Sequence, residues 1–134
     1  MRFDILTPAQ FRQRYKRLKK HIAPAVSMGN YCLSTVISRV ELNKILPVVL
    51  VHDNQAAGVM LLEKGGGELH ILSIGGKLPP GWKYKTFEWL KQIALDHGCK
   101  RIQLQGRRGW RRMLAPLGFR PKGELLVYDM ELEQ

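Results

Sequence analysis

The feature that most restricts this chain's fold is a strand-turn-strand signal lying between segments of helical period. Pro47 to His52 is a β-branched apolar run, Asp53-Asn54-Gln55 has turn chemistry, and Ala57 to Glu63 returns as a second run. The pattern predicts an antiparallel hairpin. Upstream, Phe11, Tyr15, Leu18 and Ile22 recur at spacings of four, three and four, while Arg12, Arg14, Lys16, Arg17, Lys19 and Lys20 fill other positions. That is an amphipathic helix with a core-facing stripe. Thr7 can cap it, Pro8 suits its first turn, and Gln10 completes a capping-box pattern. Downstream, Trp82, Thr86, Trp89, Leu90, Ile93 and His97 recur at helical spacing, with Gly98 at the C-cap position. A mixed α/β chain is required.

The remaining elements follow from local signals. Phe3 to Leu6 reads as a short strand, Pro24 ends the first helix, and Ala25 to Leu46 reads as a second helix. Gly65-Gly66-Gly67 leads into a strand from Glu68 to Ile74 that stops at Gly75-Gly76. Arg101 to Gln105 is a strand, Trp110 to Leu117 a short helix, and Leu125 to Leu132 an alternating final strand. With 134 residues the expectation is one domain over 1–134 with one core. No apolar run approaches the roughly 20 residues of a membrane span, and the start does not read as a signal peptide. A soluble intracellular protein is expected. Cys32 and Cys99 are far apart without CxxC spacing, so they read as two buried thiols, with neither disulfide nor metal.

Charge is the strongest compositional signal: 22 Lys and Arg face 11 Asp and Glu, a formal net charge of +11. The excess is concentrated. Between Arg2 and Arg39 the basic residues Arg2, Arg12, Arg14, Lys16, Arg17, Lys19, Lys20 and Arg39 are opposed by Asp4 alone. Between Lys100 and Lys122, the residues Lys100, Arg101, Arg107, Arg108, Arg111, Arg112, Arg120 and Lys122 face no acid in sequence. Such blocks suit an acidic protein surface or nucleic acid, or they are solvated faces that keep a small protein soluble. The partner-binding candidates are Arg12, Lys16, Lys19, Lys20, Arg107, Arg108, Arg111 and Arg112. Trp110, Leu114 and Leu117 form an i, i+4, i+7 stripe, which makes Trp110 a core anchor beside those arginines.

The order strand, two helices, hairpin, strand, helix, strand, short helix, strand resembles the GNAT acetyltransferase-like family over nearly the whole chain. Val48 to Leu62 is similar to that family's central hairpin, including Gly58 soon after the turn. Ala94 to Leu104 is similar to its helix-to-strand passage, and Leu117-Gly118-Phe119 to its terminal GF signature. Gly106 to Phe119 resembles small GNAT-related proteins encoded by bacteriophages. The resemblance implies an α/β (α+β) fold with a mixed, mostly antiparallel sheet flanked by helices. It also implies a location in the host cytoplasm or the virion, and other virion proteins as possible partners.

Departures from the family pattern bear on activity. The family's pyrophosphate loop needs unobstructed backbone donors, and the corresponding stretch is Leu78-Pro79-Pro80-Gly81-Trp82-Lys83. Only Gly81 matches. The prolines lack N–H groups and Lys83 stands where a small residue is usual, although Gly75, Gly76 and Lys77 can compensate in part. If acetyl-CoA binds, its residues are Gly75, Gly76, Lys77, Gly81 and Lys83. The family's tyrosine acid, four residues before the GF glycine, aligns with Leu114, and its asparagine with Arg107. No catalytic residue is assigned: Tyr84, Tyr128, Glu63, Glu68, His52 and His70 are lone groups without a supporting spacing. The first reading is therefore a non-catalytic phage-type GNAT-fold protein with a binding or virion-assembly role and no cofactor. The alternative is an acetyl-CoA-dependent N-acetyltransferase, and a weaker one is a nucleic-acid-binding module resting on charge alone.

Overall fold

The computed structural model describes residues 1–27, 32–106 and 108–130. In chain order the elements are β1 (Arg2–Ile5), α1 (Pro8–Ser27), α2 (Leu33–Glu41), β2 (Ile45–His52), β3 (Gln55–Gly65), β4 (Glu68–Gly76), α3 (Trp82–Asp96), β5 (Arg101–Gln105), α4 (Arg108–Leu114) with a 3-10 turn at Ala115–Leu117, β6 (Arg120–Lys122) and β7 (Leu125–Asp129). The seven strands lie in one sheet of order β1-β2-β3-β4-β5-β7-β6. Pairings β1–β2, β2–β3, β5–β7 and β6–β7 are antiparallel, and β4–β5 is parallel. This is the mixed, mostly antiparallel α/β arrangement expected. Two compact units divide within β3 and β4: Met1–Glu63 with Leu72–Trp82, and Lys64–Ile71 with Lys83–Gln134.

In the first unit the capping box forms as the sequence implies. Thr7 N donates to Gln10 Oε1 at 2.9 Å, and Gln10 N donates to Thr7 Oγ1 at 3.2 Å, so donors that the helix cannot satisfy are paired reciprocally. Phe11, Leu18 and Ile22 are buried in a core with Val36 and Val40 of α2, Ile45, Val49 and Val51 of β2, and Val59 and Leu61 of β3. Each such burial contributes roughly 1.5–3 kcal/mol. Asp53 and Asn54 both take left-handed φ, 51° and 61°, which makes the two-residue turn that joins β2 to β3. Val48 and Leu50 are buried as fully as Val49 and Val51, which explains an unbroken apolar run where a half-exposed strand would alternate.

The sequence expectations fail at some boundaries, each for a local reason. Pro24 does not end α1, which continues to Ser27, because a proline removes one helical N–H bond without forbidding the residues after it. The second helix is not Ala25 to Leu46 but the nine residues Leu33–Glu41. Asn43, at φ 57°, stops it, and Ile45 and Leu46 already belong to β2. In the second unit, β6 has no counterpart among the sequence expectations; it is three residues long, contains Pro121 and pairs with β7 at the end of the sheet order. The final strand ends at Asp129, and residues 131 and 132 of the expected strand lie outside those described. His97 lies beyond α3 and is exposed, whereas Phe87 and Ala94, absent from the expected stripe, are buried.

The second unit packs α3 and the GF segment through aromatic edges. Phe87 and Phe119 meet edge to face at 5.1 Å, and Phe119 tilts against Tyr128 at 5.5 Å. Gly98, at φ 70°, lets Cys99 N reach back to the Ala94 carbonyl at 2.7 Å and closes α3. Part of the second basic block is neutralised here. Arg101 Nε donates to Asp129 Oδ1 at 2.8 Å, and Arg120 donates to Asp129 Oδ2. The hydrogen bonds from Arg120 and then Arg101 hold the Asp129 carboxyl below its ordinary pKa.

Replacing Asp129 by Asn should therefore lower the unfolding free energy near pH 7 by about 1–2 kcal/mol, the scale of a charge-assisted hydrogen bond at a partly exposed site. A depressed folded pKa means that this stabilisation is complete above the unfolded value of about 3.9 and is lost as pH falls through the lower folded value. Urea melts of the two proteins should differ at neutral pH and converge in acid. A gap that stays constant with pH would show that the charge contributes nothing.

Candidate functional site

A bulge in β3 sets where the loop that follows β4 begins. Leu50 pairs with Gly58 but Val51 pairs with Ala56, leaving Ala57 as the extra residue. Its carbonyl accepts from Lys77 N at 2.9 Å. The backbones pass so closely that a Cβ on Gly58 would lie 2.6 Å from the Gly75 oxygen. A Cβ on Gly76, whose φ is 129°, would lie 2.3 Å from the Ala57 oxygen. Gly58, Gly75 and Gly76 thus serve the hairpin's own packing. Lys77 is exposed immediately beyond, and Leu78-Pro79-Pro80-Gly81 carries the chain to Trp82, whose N donates to the Pro79 carbonyl at 3.1 Å. Gly81, at φ 77°, has no atom within 4 Å of the place a Cβ would take, so this face of the turn is open.

In the second unit, the first turn of α3 carries Lys83, Tyr84 and Lys85 and no acid. Its leading N–H groups have no acceptor within the helix, and lysines at the positive end of a helix dipole are unfavourable until an anion joins them. Lys83 is partly committed. Its Nζ donates to the Met113 carbonyl at 3.4 Å and lies 5.2 Å from the centre of the Tyr84 ring. Lys85 and Tyr84 are exposed.

The end of β5 forms a second feature of this unit, which the sequence did not reveal. Gln105, Gly106, Arg111 and Glu124 line a cavity of about 290 Å³. Gly106 N donates to the Glu124 carbonyl at 2.7 Å, and Arg111 Nε donates to the Gly106 carbonyl at 2.9 Å. A Cβ on Gly106 would stand 2.9 Å from the Glu124 oxygen, so glycine is needed for this approach. No sequence spacing signals a cavity held by main-chain contacts.

The other candidates are dispersed. Leu114 is fully buried and supplies no proton donor. Tyr84 is exposed, and Tyr128 is buried with its ring against Phe119 and 4.7 Å from Lys91 Nζ. The Tyr128 hydroxyl and Thr86 Oγ1 are buried without a hydrogen-bond partner among the described residues. Glu63 is held by Arg39, whose Nε donates at 3.1 Å; His52 is exposed, with Nε2 3.3 Å from Asp53; Glu68 and His70 are half-buried. Arg107 lies outside the described residues, Arg108 opens α4, and Arg111 and Arg112 are exposed. Trp110 is half-buried, contrary to the expected core anchor: α4 is a seven-residue helix, too short to submerge the whole Trp110, Leu114, Leu117 stripe, and Leu114 alone is buried. Arg12 pairs with Glu41 at 3.0 Å, while Lys16, Lys19 and Lys20 are exposed.

Cys32 also corrects the sequence expectation, since it is exposed at the start of α2 rather than buried. Its Sγ lies 3.1 Å from both Ser34 Oγ and Thr35 Oγ1, and those hydrogen bonds bring its pKa down to about 7. Cys99 is buried, and desolvation pushes its pKa up. Among the described residues, no three His, Cys, Asp or Glu side chains group as metal ligands would. No helix among them is long and apolar enough to cross a membrane.

No protein-family model matches the sequence, and no curated protein matches it. Solved structures do match the fold. A Bacteroides thetaiotaomicron protein assigned to the GNAT family of acetyltransferases aligns over 96% of this chain and 87% of its own, at 15% identity and a TM-score of 0.72. The aminoglycoside 6'-N-acetyltransferase of Enterococcus faecium covers 97% of both chains, at 10% identity and TM-score 0.70. The PaiA N-acetyltransferase of Thermoplasma acidophilum, solved with coenzyme A, covers 96% of this chain and 99% of its own, at 14% identity and TM-score 0.62. The chain therefore has the GNAT-like fold, and identities this low carry nothing finer.

Two outcomes follow from these geometries. Gly76→Ala should destabilise the protein by about 1–3 kcal/mol or more, since it adds an unfavourable φ to a backbone clash; unchanged thermal stability would contradict the close approach. Iodoacetamide should label Cys32 far faster than Cys99, with the Cys32 rate rising through about pH 7 as its thiolate forms. Peptide mapping after timed labelling reads both rates, and equal labelling would overturn the assignment.

Proposed function

We propose that the chain is an acyl-CoA-dependent N-acyltransferase, the second of the two main readings of its sequence. The observation that carries this is the fold, shared over nearly the whole chain with acetyltransferases that include a coenzyme A complex. The non-catalytic scaffold reading has less support, because the described structure keeps features that suit an anionic cofactor. Those features are the acid-free first turn of α3, with Lys83, Lys85 and leading N–H donors. The Gly75 and Gly76 backbones are engaged with the β3 bulge, so their role is to direct the chain toward the Lys77–Gly81 loop.

Acetyl-CoA would supply an activated thioester, from which an amine takes the acetyl group to give an amide and a free thiol. The chain's part is to bind the pyrophosphate through the first turn of α3. Lys83 and Lys85 contribute charge, and the N–H donors there contribute direction. Leu114 donates no proton, so the departing sulfur would be protonated by solvent.

Calorimetric titration with acetyl-CoA should give a micromolar dissociation constant, about −8 kcal/mol. Lys83→Glu/Lys85→Glu should weaken it at least tenfold, and amines should stimulate thiol release from acetyl-CoA. Absence of binding at millimolar acetyl-CoA would sink the proposal and return the chain to a binding or virion-assembly scaffold.

A further inference from the structure

The outer face of α1 is highly charged, and the packing of the first unit gives it no use. Burial of Phe11, Leu18 and Ile22 fixes the rotation of the helix. At about 100° per residue, Arg12, Lys16, Lys19 and Lys20 then share one sector about 100° wide, with Arg17 beside it. All of these are exposed. The twenty-residue helix contains no Asp or Glu, and Glu41 of α2 reaches Arg12 at 3.0 Å. Lys16, Lys19 and Lys20 form no ion pair among the described residues. Their spacing makes matters worse for an isolated helix. Lys16 stands i, i+4 from both Arg12 and Lys20 and i, i+3 from Lys19, where like charges repel. A line of phosphates would relieve that repulsion.

We propose that this face of α1 binds the phosphate backbone of a nucleic-acid duplex, without reading bases. From Arg12 to Lys20 the helix spans about 12 Å at about 1.5 Å per residue. A duplex carries about one negative charge per 1.7 Å of its axis over the two strands, a dense anionic surface that complements an acid-free row of cations. A protein partner would be expected to meet apolar or aromatic anchors at the centre of its interface. The exposed positions of α1 between Ala9 and Lys20 offer only Ala9, Gln10, Gln13 and the cations. A membrane surface would need a free apolar face, and the apolar face of α1 is in the core. Contacts limited to phosphates fix position without sequence preference.

The test is fluorescence anisotropy of a labelled mixed-sequence DNA duplex with the full chain, across a salt series. Lys16→Gln/Lys19→Gln/Lys20→Gln is compared with Lys44→Gln/Lys64→Gln/Lys122→Gln, which removes the same charge from exposed sites elsewhere. The wild type should bind with a steep salt dependence. The α1 variant should bind at least tenfold more weakly, and its plot of log K against log salt should be shallower by about 2 to 3, since each phosphate contact contributes about 0.9 to the slope. The control should keep most of the affinity. Lys16→Arg/Lys19→Arg/Lys20→Arg should bind like the wild type, which separates lost charge from a damaged helix. The proposal is overturned if the wild type does not bind duplex, if both Gln variants lose affinity equally, or if the Arg variant also fails. Equal affinity for polyglutamate or for vesicles containing phosphatidylserine would overturn it as well, in favour of a general anion-binding surface.

Discussion

The arrangement of the first unit depends on the close main-chain contact between the β3 bulge and the end of β4. Ala57 is pushed out of the β2 ladder, and its carbonyl captures Lys77 N at 2.9 Å. The contact exists because Gly58 and Gly76 put no Cβ between the backbones; a Cβ on either would approach a carbonyl oxygen to less than 3 Å. A hydrogen bond of this kind contributes only about 0.5–1.5 kcal/mol by itself. Its importance is directional. It sets where the chain leaves β4, and hence where the Lys77–Gly81 turn begins.

Charge plays different parts in the two basic blocks. Arg101 and Arg120 read as free cations in the sequence, yet both are spent on Asp129, beyond the end of their block. On α1 the reverse holds, and Lys16, Lys19 and Lys20 are held outward by the buried stripe on the opposite side. A net charge of +11 therefore does not describe a uniform surface. Charge near Asp129 stabilises the fold, and charge on α1 is available to a partner.

The local rules were legible wherever a residue acts on its near neighbours. The Thr7 and Gln10 cap, the Asp53-Asn54 turn and the Gly98 helix end were all readable, because each is decided within a few residues. The same rules misled at Pro24, where a helix tolerates one missing donor. Trp110 and Cys32 failed for another reason. Burial depends on how much structure covers a helix, and neither the cover over α4 nor the exposure of the start of α2 is written in a periodicity.

What the sequence by itself determined is most of the elements, the buried stripe of α1 and the central hairpin and, through the order of those elements, the GNAT-like arrangement. Hydrophobic period and turn chemistry are local properties, and they suffice for that. The tertiary structure alone decided which glycines allow backbone contact, which arginines are neutralised, and that Gln105, Gly106, Arg111 and Glu124 line one open pocket. Each of these depends on distances of a few ångströms between residues far apart in the chain. No local spacing encodes such distances, because they are set by how the strands register and how the helices pack.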